Sequence, residues 1–539
     1  MKLSRLSLQE NRALFTARGY ELPRFDDQAM IQATKERPTW VHFGAGNLFR
    51  AFLAPLSQQL LNEGSCDTGI LVAVGFDSSL LDTVYRPFDN LTVAATLCAN
   101  GEIHKKVVGS IADSYCMVNS PAEWQAMLDI FSNPSLQMAS LTITEKAYNY
   151  LASDGTVLPN ILQDMEAGPE GAASYLGRIT ALCHQRFITC RAPLALVSMD
   201  NCSHNGSRLE AAVSAIAQGW QERGLCRDGF VDWLADRSNI TFPWTMIDKI
   251  TPRPDEAVSQ MLTEDGLAGM DLHVTRHGSY AAAFVNTEEA QYLVIEDAFP
   301  NGRPPLERAG VIFTTRETVD KVETMKVCTC LNPLHTSLAV LGCLLGFHRI
   351  NEEMQDEDLR RLTQRVGYIE GLPVVVDPGV IAPRAFLDEV IHKRLPNPFL
   401  QDAPQRIATD SSQKIPVRFG NTIKKYAAHP ELDVHDLQGI SFVLAAWCRY
   451  LMAIDDNGNV FTPSDDPLLP ELMPLLADVK LGQPCDVHKT LQPILSNATI
   501  MGSDLYEIGL APQVEDWFSR LITGPGAIRA QLHQLVERD

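Results

Sequence analysis

An α/β unit built on a mainly parallel sheet, followed by a mostly α-helical unit, is the architecture that this sequence predicts. Three observations carry the prediction. Over roughly the first 310 residues, short apolar runs of strand length alternate with stretches of helical spacing. A glycine pair follows the first of those runs. After about residue 315, apolar residues recur at helical spacing alone. The length of 539 residues exceeds one compact core and, at roughly 150 residues per domain, implies two to four domains. Hydrophobic residues make up 45% and charged residues 21%, a balance that excludes a disordered or fibrous chain.

Residues 1–37 are mixed and polar and read as an N-terminal extension. TWVHFGAG (Thr39 to Gly46) then reads as a buried strand entering a glycine turn. LFRAFLAPLSQQLLNEG (Leu48 to Gly64) has helical spacing, and GILVAVGFD (Gly69 to Asp77) is a continuous apolar run ending in an acid. Strand, helix, strand in this order is a βαβ unit, and strands covered on both faces carry such runs. SLQMASLTIT (Ser135 to Thr144) and APLALVSMD (Ala192 to Asp200) continue the strand series. The helical stretches Pro121 to Phe131 and Ser207 to Gly224 stand among these strands. The windows His335 to Phe347, Asp436 to Ile454 and 527–539 are helical. The Pro- and Gly-rich NGRPP, Asn301 to Pro305, reads as the junction between the two regions.

The charge balance restricts partners. Lys+Arg 45 against Asp+Glu 66 gives −21, and no basic run relieves it, so neither nucleic acid nor an anionic membrane surface is expected as a partner. A small anionic substrate remains open if the site supplies its own positive charge. The twelve cysteines show neither a disulfide framework nor a CxxC metal spacing. The N-terminus lacks a secretory pattern. The most apolar window, Ser337 to Phe347, falls well short of the ~20 residues of a membrane span. A soluble cytoplasmic protein is the expectation.

Three constellations carry chemistry. In GAGNLFR (Gly44 to Arg50), Gly44 permits a tight turn and Gly46 lets the main chain approach a pyrophosphate. The helix that follows offers free N–H groups to the anion, and Asn47, Phe49 and Arg50 join the two glycines as candidate cofactor-binding residues. The third glycine of the full dinucleotide fingerprint is missing, since Phe49 stands near its place. Asp77, at the end of the second strand, suits the adenosine ribose hydroxyls and repels a 2′-phosphate, which favours NAD; equally, it reads as a helix cap before Ser78 and Ser79. In MDNCSHNG (Met199 to Gly206), Asn201 lies past the carboxyl end of a strand, where ligands sit in open α/β sheets, whereas the Asn205-Gly206 pair reads as a turn. In MKVCTCLNPLHTSLAVLG (Met325 to Gly342), Lys326, Asn332 and His335 stand among apolar residues. A lysine in such surroundings loses hydration, which favours its neutral form and makes it a usable general base. Asn332 can donate to an oxygen gaining charge, and His335 can bind a neighbouring hydroxyl. A snorkelling lysine, an N-cap asparagine and a hydrogen-bonded core histidine are the plainer readings.

Seven segments taken together resemble the mannitol dehydrogenase family, the polyol-specific long-chain dehydrogenases, from about residue 38 to the end. They are Val41 to Phe52, Leu141 to Tyr148, Val197 to Gly206, Phe242 to Pro252, Val294 to Pro304, Met325 to Gly342 and Arg394 to Arg418. The resemblance implies a Rossmann-like NAD-binding domain over 38–312 and a mostly helical substrate-binding domain over 313–539. It also implies metal-independent oxidation of a secondary alcohol in an acyclic polyol or sugar acid. By motif, Lys326 matches the general base, Asn201 and Asn332 the amides that hold the reacting oxygen, and His335 the substrate-orienting imidazole. Asp248 and Arg394 match substrate contacts, and Glu145 matches a glutamate near the nicotinamide and the proton path. Motif wording is nearest to members that interconvert D-mannonate and D-fructuronate, with those acting on mannitol or tagaturonate as neighbours. A carboxylate substrate calls for a cation, and Arg394, Arg406 and Lys414 lie in the candidate segment.

One departure stands out. Asn332 follows Lys326 by six positions where the family pattern has five. Either a π-bulge absorbs the added residue, or Asn332 caps a new helix whose first position is Pro333. Two other classes remain as alternatives: a zinc-dependent medium-chain dehydrogenase, and a catalytically inactive nucleotide- or sugar-acid-binding protein. A monomer or small homo-oligomer is expected.

Overall fold

Six parallel strands form the main sheet in the computed structural model, which describes residues 1–118, 120–275 and 278–537. They are β1 (Trp40–Phe43), β2 (Ile70–Val74), β3 (Ile111–Cys116), β4 (Met138–Leu141), β5 (Leu194–Ser198) and β6 (Ile240–Thr241). Their order is β3-β2-β1-β4-β5-β6, and every pairing is parallel. This is the doubly wound order, in which the chain reverses direction between β1 and β4 and opens a crevice beyond their carboxyl ends.

The continuous apolar runs have the physical cause expected of a doubly covered sheet. Val41, Phe43, Leu71, Ala73, Ala139 and Leu141 pack on one face with Leu176 and Ile179 of helix Tyr175–Thr189 and Val213 and Trp220 of helix Asn205–Glu222. Trp40, Ile70, Val72, Met138 and Val197 pack on the other face with Phe52, Leu56 and Leu60. Strands β1, β2, β4 and β5 arise from the four runs read in the sequence. β3 and β6 do not stand out there, because β3 carries polar residues and β6 is two residues long. Besides a short pairing of His273–Val274 with Tyr280–Ala281, two smaller sheets do not stand out in the sequence. One joins Tyr20–Glu21, Ile103–Val108, Thr92–Leu97 and Phe284–Thr287; the other joins Thr245–Asp248, Tyr292–Glu296 and Ile312–Thr314.

The chain divides into two units: Met1–Cys98 with Glu102–Asp320, and Ala99–Gly101 with Lys321–Asp539. Residues 1–37 are built into the first unit rather than appended to it. Leu3, Phe15 and Met30 are buried, and Tyr20 and Glu21 pair with Lys105 and Lys106. Asn301–Pro305 likewise lies inside the first unit, where the Asn301 amide donates to the Pro134 and Leu136 carbonyls at 2.9 and 2.8 Å. Proline and glycine mark a loop there. The division falls between Asp320 and Lys321, within helix Arg316–Met325, where composition shows no break.

The second unit is helical among the described residues apart from short bridges and turns. Helices Asn332–Leu345 and Gln438–Tyr450 are buried along most of their length and pack together at its centre, as helices apolar on all sides do. The terminal helix runs Ala527–Val536; the last two residues of the helix read from sequence lie outside the described residues. The apolar window at Ser337 is part of a longer helix, Arg316–Leu345, with a window of mean hydropathy 1.4. That helix is long and apolar enough to cross a membrane, yet 83% of the window is buried in protein, so packing accounts for its composition.

Candidate active site

In the first unit the carboxyl ends of the strands gather the residues singled out there. Gly44 and Gly46 follow β1, Asp77 follows β2, Glu145 follows β4 and Asn201 follows β5. The two glycines differ in what requires them. Gly44 has φ +121°, and a side chain there would collide with the Thr142 carbonyl oxygen beyond β4. A Cβ on Gly46 would meet nothing within 4 Å, so the fold itself does not need that glycine. Open space above it is the cradle a pyrophosphate requires, and the residues present fit a dinucleotide. The Tyr85 hydroxyl steadies the loop by donating to the Ala45 carbonyl at 2.8 Å.

Phe49 and Arg50 turn inward. A π turn, Phe49–Leu53, follows the first helical residues Asn47 and Leu48, and the Phe49 ring stacks on His42 with centroids 4.3 Å apart. An aromatic ring thus fills the place of the third glycine, and burial pushes the His42 imidazole down to about 3, leaving it neutral. The Arg50 guanidinium is buried; it donates to the Ala282 carbonyl at 2.7 Å and to Asn47 Oδ1 at 2.9 Å. It fastens Asn47 in place, while the backbone of Asn47 lies at the helix start. Asp77 accepts from the Ser79 N–H at 2.9 Å and the Ser79 hydroxyl at 2.7 Å, in a turn just before the helix Ser79–Val84, whose cap position is Ser78 rather than Asp77. Asp77 lies half-buried just past the end of β2.

Sequence reasoning missed the group that organises the loop after β4. Asp200 accepts from the Ile143 N–H at 2.8 Å, the Thr144 N–H at 3.0 Å and the Tyr148 hydroxyl at 2.5 Å. Thr144 stands at φ +74°, a conformation costly for a branched residue and held here by these bonds. Burial lifts the Asp200 carboxyl above the usual carboxylate range, against the pull of those three donors. The loop presents Glu145, exposed and paired with Arg208 at 3.0 Å. An acid at the end of β5 was the available signal. Asn201 follows it on the exposed turn 201–204. Asn205-Gly206 is not that turn: the helix begins at Asn205, whose amide donates to the Asp200 and Thr245 carbonyls. Strand Thr245–Asp248 is tied to β5 in this way and ends in buried Asp248.

In the second unit, Lys326 is buried and begins a π turn, Lys326–Cys330. The Leu331 N–H reaches back five residues to the Lys326 carbonyl at 3.1 Å, which takes up the added position before Asn332. A helix then runs Asn332–Leu345 with Pro333 in its first turn, and Leu331 rather than Asn332 occupies the cap. Asn332 and His335, three apart, share one helix face. Burial pulls the His335 imidazole down to about 4, aided by the charges of Arg418, Arg394 and Arg406 and opposed by Asp402. It is neutral at pH 7. Arg394 is buried at the end of another π turn, Val390–Arg394. His335, Arg394, Asn397 and Asp402 line a cavity of about 10 Å³, room for one water. Three of the four π turns among the described residues therefore carry residues singled out from the sequence.

The other proposed cations are otherwise engaged. Arg406 is exposed and paired with Asp402, and the Lys414 ammonium donates to the Ile407 and Thr409 carbonyls. Among the described residues, no group of three or more His, Cys, Asp or Glu is placed to hold a metal, and no disulfide occurs.

The chain is similar to known proteins along its whole length. Residues 38–308 match the mannitol dehydrogenase Rossmann domain and 318–519 the mannitol dehydrogenase C-terminal domain. The chain is 48% identical over 541 residues to a D-mannonate oxidoreductase of Thermotoga maritima, covering all of both chains. It is 30% identical over 478 residues to a mannitol 2-dehydrogenase of Emericella nidulans, covering 86% of each. The solved mannitol 2-dehydrogenase of Pseudomonas fluorescens, a ternary complex with NAD and D-mannitol, superposes with a TM-score of 0.69 at 25% identity over the whole of both chains.

Proposed function

The chain belongs to the mannitol dehydrogenase family, and on that footing we propose that it is an NAD-dependent oxidoreductase interconverting D-mannonate and D-fructuronate. The observation that carries the substrate assignment is the 48% identity, end to end, with a D-mannonate oxidoreductase.

NAD, when bound, supplies the hydride acceptor or donor. The open space over Gly46 and the N–H groups at the start of the helix suit its pyrophosphate. Asp77 takes the adenosine ribose hydroxyls and disfavours a 2′-phosphate, and Glu145 stands toward the nicotinamide end. On the substrate, Lys326 removes the hydroxyl proton in oxidation and returns it in reduction. The carboxamides of Asn201 and Asn332 donate to the oxygen as it gains negative charge, the role of an oxyanion hole. His335, held neutral, orients a neighbouring hydroxyl, and Asp248 and Arg394 bind the remainder of the substrate.

A panel of D-fructuronate, D-tagaturonate and D-fructose with NADH tests the reading. D-Fructuronate is expected to give the highest kcat/KM, with activity unchanged by chelators. A preference for D-fructose would overturn the sugar-acid assignment in favour of mannitol oxidation, and NADH binding without turnover on any of them would favour an inactive binding protein.

A further inference from the structure

We propose that Arg418 is the cation that receives the carboxylate of the sugar acid, and so sets the preference for an anionic over a neutral substrate. The inference rests on the functional reading above and deepens it. Arg418 closes helix Ser411–Arg418. Its Nη1 donates to the Thr336 hydroxyl at 2.6 Å, and that hydroxyl in turn donates to the Asn332 carbonyl at 3.0 Å. One side-chain hydroxyl thus separates the guanidinium from the helical turn that carries Asn332 and His335.

What singles Arg418 out is its want of a counter-ion. It is half-buried, and among the described residues no carboxylate pairs with it; its one hydrogen bond goes to a neutral hydroxyl. Arg406, by contrast, has Asp402, and Lys414 has two backbone carbonyls. Burial brings the Arg418 guanidinium down to about 10, and it remains charged at pH 7. A charge removed from water without an opposite charge is costly. The fork that remains after the Thr336 bond suits a carboxylate, which can accept two parallel N–H bonds. Lys414 and the arginines around His335 add to the positive field, in a chain whose net charge is −21. Asp402, Asp410 and Asp466 offset that field in part, but none pairs with Arg418; a neutral polyol would leave its guanidinium without a counter-ion, and an acid group supplies one.

The test compares the wild type with Arg418→Gln and Arg418→Lys, using NADH with D-fructuronate and with D-fructose. The fructuronate-to-fructose ratio of kcat/KM is expected to fall by about 10²-fold in Arg418→Gln, as for a lost charge-assisted pair, with part of the loss recovered in Arg418→Lys. An unchanged ratio in Arg418→Gln, in a wild type that does prefer fructuronate, overturns this inference alone. A wild type inactive on fructuronate overturns the functional reading instead. A second measurement needs no variant: arginine modification by phenylglyoxal, located by peptide mass spectrometry, with NADH present. Protection of Arg418 by D-mannonate but not by D-mannitol supports the assignment, and equal modification with either ligand contradicts it.

Discussion

Tyr148 donates its hydroxyl hydrogen to Asp200 Oδ2 at 2.5 Å, and through this bond a residue at the end of β5 holds the loop that follows β4. The same carboxylate takes two backbone N–H groups of the loop, so removing it leaves three donors without their acceptor. The Ile143 N–H and Tyr148 hydroxyl are part-buried, and donors of that kind left unsatisfied cost about 1–3 kcal/mol each, whereas the exposed Thr144 N–H can turn to water. Asp200→Ala is expected to lower the melting temperature and raise KM for NADH by roughly tenfold or more, with Asp200→Asn milder. Tyr148→Phe, which removes the bond to Asp200 and the one accepted from the Ser198 hydroxyl at 2.8 Å, is expected to cost about 1–3 kcal/mol. Wild-type melting and cofactor KM in Asp200→Ala would show that the loop needs no such anchor.

The two glycines after β1 should separate stability from cofactor binding. Gly44→Ala meets both a positive φ and the Thr142 carbonyl, so a loss of a few kcal/mol in denaturant unfolding is expected. Gly46→Ala meets nothing in the protein and should unfold like the wild type while binding NADH at least tenfold more weakly, by calorimetry. Unimpaired NADH binding in Gly46→Ala would remove the pyrophosphate from that position.

His335 should be silent in the neutral range. Its imidazole is pulled down to about 4, so it is uncharged above pH 6. The pH profile of kcat/KM for His335→Asn between pH 6 and 9 is expected to keep the wild-type shape at a reduced level, by about 10²-fold. Loss of a titration step near pH 6.5 in the variant would mean that the wild-type histidine ionises there.

Glu353 is expected to make stability depend on pH. The side chain is fully buried, neither carboxyl oxygen has a hydrogen-bond partner, and burial, with Asp356 and Glu352 adding, pushes it well above the usual carboxylate range. The folded protein therefore holds a proton that the unfolded chain releases above about pH 4.3. Stability is fully present below that pH and falls as pH rises toward the folded-state value, by up to about 1.4 kcal/mol per pH unit. Glu353→Gln removes this slope, so its stability relative to wild type should improve from pH 5 to pH 8. Parallel denaturation midpoints across that range would show the carboxyl to be ionised in the fold.

The readable parts of this protein are those in which one segment carries its own signal. Strands β1, β2, β4 and β5 show as continuous apolar runs because both faces of the sheet are covered, and Gly44 shows because a tight turn follows a strand. The family's residues were legible as motifs, each within a few positions. Asp200 was not, because its partners lie more than fifty residues away and two of them are backbone N–H groups that no side-chain pattern reveals. The division at Asp320 was hidden by a helix that runs through it, and the π turn after Lys326 was legible only as an added residue. Arg418 drew no notice beside Arg406 and Lys414; only the bonds those two make elsewhere set it apart.

Single-turnover hydride transfer in Lys326→Ala, measured beside the NADH dissociation constant of the same variant, tests the account most directly. The expected result is a fall in the transfer rate of about 10²–10⁴-fold, the usual worth of a general acid–base group, with NADH affinity within about threefold of wild type. Transfer at a near-wild-type rate would contradict it, since some other group would then be moving the proton.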